Sequence, residues 1–191
     1  MKAAKKLNII INIGSIITKK ASDISYLYSE LLELMEGIGH ITSRCLPAGA
    51  AIKNIDSSDL FYAEDLLNSD LCCYNTNTLA VFPDGNVYSC CSQLGQNTQL
   101  CLGNVNDYSL EKIRKSYNSN IHIRILHKYG LKWYLDIANK IEYSMFNSDI
   151  YTGKCELCHK IFSDEDFMKM VSLYIEDYRQ SIYQKYLQAI N

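Results

Sequence analysis

Eight cysteines among 191 residues are the groups whose type and spacing carry chemistry here. Cys155 and Cys158 form a CxxC pair, and that spacing lets two thiolates reach one metal centre from a single tight turn. By itself the pair suits half of a zinc site, half of an iron–sulfur site, a redox couple or two unrelated thiols. Either metal site needs two more sulfurs, since four thiolates complete both the common zinc knuckle and the common cubane cluster. The doublets Cys72-Cys73 and Cys90-Cys91 are the candidates. They flank a stretch that reads as a β-hairpin, whose turn folds the two cysteine-bearing ends toward each other. Strand alternation puts Cys90 and Cys91 on opposite faces, so one of that doublet is expected at a single centre. Alternation does not decide between Cys72 and Cys73. Cys45 and Cys101 sit in apolar, strand-like contexts and read as small buried hydrophobes. His159 is an alternative fourth ligand, although a solvent-exposed histidine after a turn is the simpler reading, and His122 and His127 read as structural.

The elements that must position these groups follow from periodicity. Leu7 to Ile17 is a near-continuous, mostly β-branched apolar run, as expected of a parallel strand covered on both faces. Ser22 or Asp23 caps a helix with Ile24, Leu27, Tyr28, Leu31, Leu34 and Met35 on one side, ended by Gly37 and Gly39. His40 to Leu46 is a second strand, so residues 7–46 make one βαβ unit. A short helix is expected over Ser58–Leu67. Thr78–Phe82 and Val87–Cys90 are extended around the turn Pro83-Asp84-Gly85-Asn86, where Asp84 and Asn86 are explained by turn chemistry. Leu102–Val105 is a further short strand, and Ser109 caps a helix holding Leu110, Ile113 and Tyr117. Helix follows from Ile121 to Ile141 with a break near Gly130. From Asp164 onward the stripe Phe167, Val171, Tyr174, Tyr178 and Ile182 predicts a helix packed on a core.

Charge and hydropathy exclude several functions. With 19 Lys and Arg against 21 Asp and Glu, the chain lacks the basic excess of a nucleic-acid binder. No apolar stretch approaches the roughly 18 residues of a membrane-spanning helix. The lysines and apolar run at the N-terminus superficially resemble a secretory signal, but Asn8, Asn12, Gly14 and Ser15 interrupt the run and no small-residue cleavage site follows. A cytoplasmic protein is expected, which weighs against a secreted disulfide fold. Phosphate loops, nucleophile elbows and HExxH are absent from the sequence.

Taken together, Cys72 or Cys73, then Pro83-Asp84-Gly85-Asn86-Val87-Tyr88-Ser89-Cys90-Cys91, Leu102-Gly103-Asn104-Val105, Ser109-Leu110-Glu111-Lys112-Ile113 and Cys155-x-x-Cys158 resemble the SPASM or twitch domain of radical S-adenosylmethionine enzymes. That pattern opens with Cys, a spacer, Gly, four residues and Cys; Gly85 and Cys90 stand at that interval. Upstream, residues 7–50 resemble the last βαβ portion of the partial (β/α)6 barrel that precedes SPASM in the family. The resemblance implies an α/β chain: a partial radical SAM barrel (1–54), a small α+β cluster domain of β-hairpin plus helices (68–162) and a C-terminal amphipathic helix (163–191). It implies one auxiliary [4Fe–4S] cluster with ligands drawn from Cys72, Cys73, Cys90, Cys155 and Cys158. Its parent chemistry would be maturation of a peptide or protein. Two departures matter. CxxxCxxC, the triplet that holds the catalytic cluster, does not occur in this sequence, so the chain alone is not expected to cleave S-adenosylmethionine; an N-terminal barrel chain would have to supply that site. Cysteines beyond Cys158 are also lacking, so one four-cysteine cluster is the most that these positions support, and the resemblance leaves open whether Cys155 and Cys158 join the hairpin cysteines on it or belong to a second, incomplete cluster. The competing reading is a zinc-binding interaction module that uses the same four cysteines without redox activity.

Overall fold

The computed structural model describes residues 6–7, 12–23, 25, 29, 39–73, 78–92, 94, 96, 98–147 and 150–190. These form a mixed α/β structure in two compact units, residues 1–62 and 63–191.

In the first unit, β1 (Asn12–Ile17) and β2 (Gly39–Arg44) pair in parallel, in register from Asn12 opposite Gly39 to Ile17 opposite Arg44. Parallel neighbours require a crossover connection. Ser25 and Ser29 within it are helical, while the expected stripe Ile24, Leu27, Tyr28, Leu31, Leu34 and Met35 and the closing Gly37 lie outside the described residues. So do residues 8–11 of the expected first strand. Leu7 lies in a turn rather than in a strand, and β2 stops at Arg44, two residues short of the expected end. Among the described residues of this unit, the cover expected on both faces of β1 is not present. Ile16 and Ile41, which share a face by strand alternation, are 65% and 64% exposed. A two-stranded parallel sheet with a single crossover has a layer for at most one face. On the other face Ser15 Oγ and His40 Nε2 are hydrogen-bonded at 2.8 Å. Cys45 is buried as expected, its thiol toward the Leu46 carbonyl. A single turn, α1 (Ala51–Asn54), follows.

The helix expected over Ser58–Leu67 does not form. Two 3-10 turns, Ser57–Asp59 and Leu66–Asn68, replace it. The Asp56 carboxylate accepts from both the backbone N–H and the hydroxyl of Ser58, the local side-chain bonding that competes with a longer helix. Asp65 adopts the left-handed region at φ 56°, which no α-helix can incorporate.

The second unit holds an antiparallel sheet in the order β3 (Ala80–Val81), β4 (Asn86–Tyr88) and β5 (Cys101–Asn104). The turn between β3 and β4 is closed by the Gly85 N–H donating to the Phe82 carbonyl at 2.8 Å, with Gly85 at φ 83°. Side chains then lock the turn to β5. Asp84 accepts from the backbone and side-chain amides of Asn86, and Asn104 Nδ2 donates to the Asp84 carbonyl and to Asn86 Oδ1. Asp84 and Asn86 are therefore structural, as turn chemistry indicated. The ladder shifts register between Val87 and Tyr88 and ends there, so Ser89 and Cys90 lie beyond it rather than inside the expected strand.

Helices supply the core. They are α2 (Leu110–Ser119), α3 (Ile121–Tyr129), α4 (Lys132–Lys140), α5 (Lys154–Ser163) and α6 (Glu165–Ile190). Ser109 caps α2 by accepting from the Lys112 N–H. Ile113 and Tyr117 face the core, but Leu110, in the first turn of α2, is exposed. Tyr134, Tyr151, Leu157, Ile161, Phe167 and Val171 are fully buried. Phe167, Val171, Tyr174 and Tyr178 of the expected stripe belong to this core, whereas Ile182 lies past its edge and is exposed. Asp164 begins α6, accepting from the Phe167 N–H and, through its other oxygen, from the Tyr143 hydroxyl. Among the described residues no helix is long and apolar enough to cross a membrane.

His122 bears out its structural reading and carries a measurable consequence. Its Nδ1 is 3.0 Å from the buried Tyr134 hydroxyl, and its ring lies edge-on to Phe162. Burial, then the Arg179 charge, holds its pKa down at about 4 against an ordinary 6.5. Between those values the unfolded chain takes up a proton that the folded chain refuses, so stability falls as pH drops through this window and is unaffected above it. We expect His122→Gln to remove about 2–3 kcal/mol of acid sensitivity. Urea unfolding at about pH 7 and pH 4.5 checks this: equal losses on acidification in both proteins would show that His122 titrates normally.

Candidate metal centre

Cysteine-bearing segments remote in sequence converge on one recess lined by Cys73, Cys90, Cys155, Cys158, Ser92, Lys154 and the apolar side chains Leu100, Leu126 and Leu131. Each segment is delivered by a distinct local device.

Cys73 arrives on an extended arm. Leu71 anchors it in the core, and the Leu131 N–H donates to the Leu71 carbonyl at 3.1 Å. This contact depends on Gly130, which ends α3 at φ 65° and packs its backbone against the arm. A Cβ there would lie 2.5 Å from the Leu71 carbonyl oxygen and 2.8 Å from the Cys72 nitrogen. Lys154 Nζ donates to the Cys72 carbonyl at 3.2 Å, pinning the arm from the opposite element. The doublet is thereby sorted. Cys73 lines the recess, whereas Cys72 does not; the Cys72 backbone N–H donates to Asp70 Oδ1 and its thiol hydrogen-bonds the same carboxylate, which pushes the thiol pKa up.

Cys90 follows the end of β4. It lines the recess while Cys91 is exposed, so only one member of this doublet points inward. The cause is the turn after the ladder, where the Ser92 N–H donates back to Cys90 Sγ at 3.3 Å. Ser89 Oγ, one residue before Cys90, is buried and has no hydrogen-bond partner among the described residues. Cys101, in β5, is half-buried away from the recess, its thiol toward the Gly103 carbonyl, in keeping with its reading as a small hydrophobe.

Cys155 and Cys158 sit one turn apart at the start of α5, on a helix rather than on the turn anticipated for CxxC. Positions i and i+3 share a helix face. Glu156 fixes the helix start by accepting from the backbone N–H and hydroxyl of Thr152 at 2.7 and 2.9 Å. Cys155 thus lies in the first turn, where the helix dipole favours an anionic sulfur.

Electrostatics tie the four thiols together. Burial pushes the Cys90 thiol up to about 11, and Cys155 and Cys73 add to the effect. Burial raises Cys158 further, with Cys73, Cys90 and Cys155 each contributing. Cys155 is raised by burial and partly relieved by a hydrogen bond from the Ser92 side chain. Groups that penalise one another's ionisation in this way are near neighbours. Such a set becomes favourable as thiolates when a cation compensates them.

His159 is neither a ligand candidate nor solvent-exposed. Its Nδ1 donates to the Leu94 carbonyl at 2.9 Å, tying the loop after Cys91 to α5. Ser92, Lys154 and Gly130 were not singled out for this site by sequence reasoning. Gly130 was visible only as a helix break, and no spacing rule marks the other two. None of the eight cysteines, all of them among the described residues, is in a disulfide.

A recess lined by four thiols, between a hairpin and a CxxC helix, offers a donor set suited to cysteine ligation of a metal group. Residues 72–160 match the SPASM family model, described as an iron–sulfur cluster-binding domain. The chain is also similar to the putative peptide biosynthesis protein YydG of Bacillus subtilis (strain 168), with 26% identity over 177 residues. That alignment covers 90% of this chain and 54% of the relative, so the chain spans about half the relative's length.

Proposed function

We propose that Cys73, Cys90, Cys155 and Cys158 together hold one [4Fe–4S] cluster, which serves as the auxiliary cluster of a radical S-adenosylmethionine peptide-maturation system. The observation that carries this reading is the convergence of these four thiols on a single, otherwise largely apolar recess. The donor set fits the group: four cysteine sulfurs are the usual complement of a cubane. Lys154, which also lines the recess, offsets part of its negative charge. The buried, unpartnered Ser89 hydroxyl beside Cys90 is a polar atom that costs about 1–3 kcal/mol until something accepts its proton. Cys73 is favoured over Cys72 because the Cys72 thiol is engaged by Asp70.

Zinc is the second reading, since the same four sulfurs satisfy its tetrahedral site without redox chemistry; metal analysis separates the two.

When bound, the cluster supplies one-electron redox capacity or a Lewis-acidic contact for a substrate. The chain's own residues position the thiolates, exclude water with Leu100, Leu126 and Leu131, and provide hydrogen-bond donors to sulfur. The relative's description as a peptide biosynthesis protein supports a peptide as the substrate class. The parallel pair β1–β2 supports reading residues 1–54 as the last βαβ portion of a partial barrel, followed by the cluster domain over 68–162 and the terminal helix over 163–191. On this reading the CxxxCxxC site that cleaves S-adenosylmethionine lies outside these 191 residues, and the chemistry takes place in the cytoplasm.

Anaerobic reconstitution of the chain with iron and sulfide tests the ligand set. About four irons and about four sulfides per chain, with a broad visible charge-transfer absorption, are expected. One colourless zinc per chain, with iron excluded, would overturn it.

A further inference from the structure

Positive charge is concentrated in one part of this slightly acidic chain. Residues 112–135 hold six Lys or Arg and no Asp or Glu, whereas the whole sequence has 19 against 21. The lysines among them are answered locally: Lys115 pairs with Glu111, Lys132 pairs with Asp136, and Lys112 and Lys128 stand over tyrosine rings. Arg124 is placed differently. It shares a cleft of about 340 Å³ with Arg179 of α6, lined also by Ser119 and by the walls Ile121, Ile182 and Tyr183.

Two helices build this cleft. The Tyr178 ring packs on Tyr129 at the end of α3, with centroids 5.9 Å apart, so α6 runs back along α3 and carries Ile182 and Tyr183 toward its start. Arg124 Nε donates to the Asn118 carbonyl at 2.9 Å, and Nη2 donates to the same oxygen. This fixes one edge of the guanidinium at the junction of α2 and α3, by bonds that do not use the opposite edge. The first-turn amides of α3 add partial positive charge at the same end. Arg179 Nη1 lies 3.6 Å from Glu176 Oε2, with both side chains more than half exposed. A pair so open to solvent is weak and exchanges readily with another carboxylate. Ile182 and Tyr183 are 42% and 57% exposed, so the apolar walls remain unburied.

We propose that this cleft docks an acidic segment of the peptide substrate, with a carboxylate meeting Arg124 and Arg179 and neighbouring apolar side chains lying on Ile182 and Tyr183. The inference rests on the peptide reading given above and adds the recognition chemistry to it. A guanidinium matches a carboxylate through two parallel N–H donors, which a lysine cannot supply. Apolar walls beside the arginines, in a chain without an overall basic excess, favour such a segment over a phosphate backbone.

The experiment is fluorescence anisotropy of the iron- and sulfide-reconstituted full chain with a fluorescein-labelled peptide that alternates glutamate with leucine. The parent chain should bind it, less tightly as salt rises, and should bind the same peptide with glutamine for glutamate about tenfold or more weakly. Arg179→Gln should lose about tenfold in affinity, and so should Arg124→Lys, which keeps the charge but loses the fork. Lys132→Gln removes a positive charge from α4 outside the cleft and should match the parent. Circular dichroism confirms that each variant is folded; Arg179 sits on the exposed side of α6, so its variant keeps the test alive if the Arg124 variant loosens the α2–α3 junction. No binding by the parent, equal binding of the two peptides, or Arg179→Gln binding as well as Lys132→Gln overturns the inference. Tighter binding of a labelled oligouridylate than of the acidic peptide also overturns it, in favour of nucleic acid. Iron and sulfide measured on the same samples keep the two readings apart: full loading with failed binding overturns the cleft alone, and binding without loading overturns the ligand set alone.

Discussion

Cys90→Ala and Cys158→Ala should each abolish stable iron binding, and Cys73→Ala and Cys155→Ala should do the same, whereas Cys72→Ala, Cys91→Ala and Cys101→Ala should retain it. The four recess thiols come from three separate segments, and the other four cysteines do not line the recess. Cys72 is held by Asp70, Cys91 is exposed, and Cys101 lies against its own strand. Loss at a ligand should exceed the roughly 10–100-fold weakening typical of changes in surrounding residues. The fold should persist without the cluster, because the core of Tyr134, Tyr151, Leu157, Ile161 and Phe167 does not depend on metal to bury its surface. Iron per chain and far-ultraviolet circular dichroism, measured on all seven variants, separate the two groups. Full iron in Cys90→Ala or Cys158→Ala, or its loss in Cys72→Ala, would refute the assignment.

Gly130→Ala should be nearly as damaging to iron binding, although residue 130 carries no ligand. Alanine at φ 65° is strained, costing about 1–3 kcal/mol. Its Cβ would also press on the Leu71 carbonyl and the Cys72 nitrogen, and such overpacking costs a further 1–3 kcal/mol or so. Relief requires the arm to move, and Cys73 moves with it. The expected result is a lower urea midpoint together with reduced iron per chain. Ala138→Gly, in the middle of α4, provides a milder comparison: about 1 kcal/mol of helix stability should be lost there with iron retained. Unchanged iron and stability in Gly130→Ala would show that the arm is not held by this contact.

How far sequence reasoning reached depends on the range of the interactions involved. The parallel pair, the β3–β4 hairpin, the Ser109 cap, the break at Gly130 and most of the stripe on α6 follow from local rules, because side-chain period, capping and turn chemistry act over a few residues. The expected helix over Ser58–Leu67 failed for a local reason also: Asp56 and Asp65 impose competing backbone geometry that apolar spacing does not register. Ile182 was assigned to the core by period alone. Period identifies a face, but only the neighbouring elements determine how far along the helix that face is covered.

For the centre itself, residue types and spacing were enough to nominate cysteines from both doublets and the CxxC pair, since sulfur ligation restricts which side chains can take part. They did not separate Cys72 from Cys73, or reveal that the Ser92 N–H donates back to Cys90. Those distinctions arise from contacts between segments far apart in the chain: Leu131 and Lys154 grip the Cys72–Cys73 arm, and His159 holds the Leu94 loop. By itself the sequence determined which donors were available; tertiary structure decided which of them face one another, because hydrogen bonds and packing between distant segments orient a thiol in ways that no local pattern encodes.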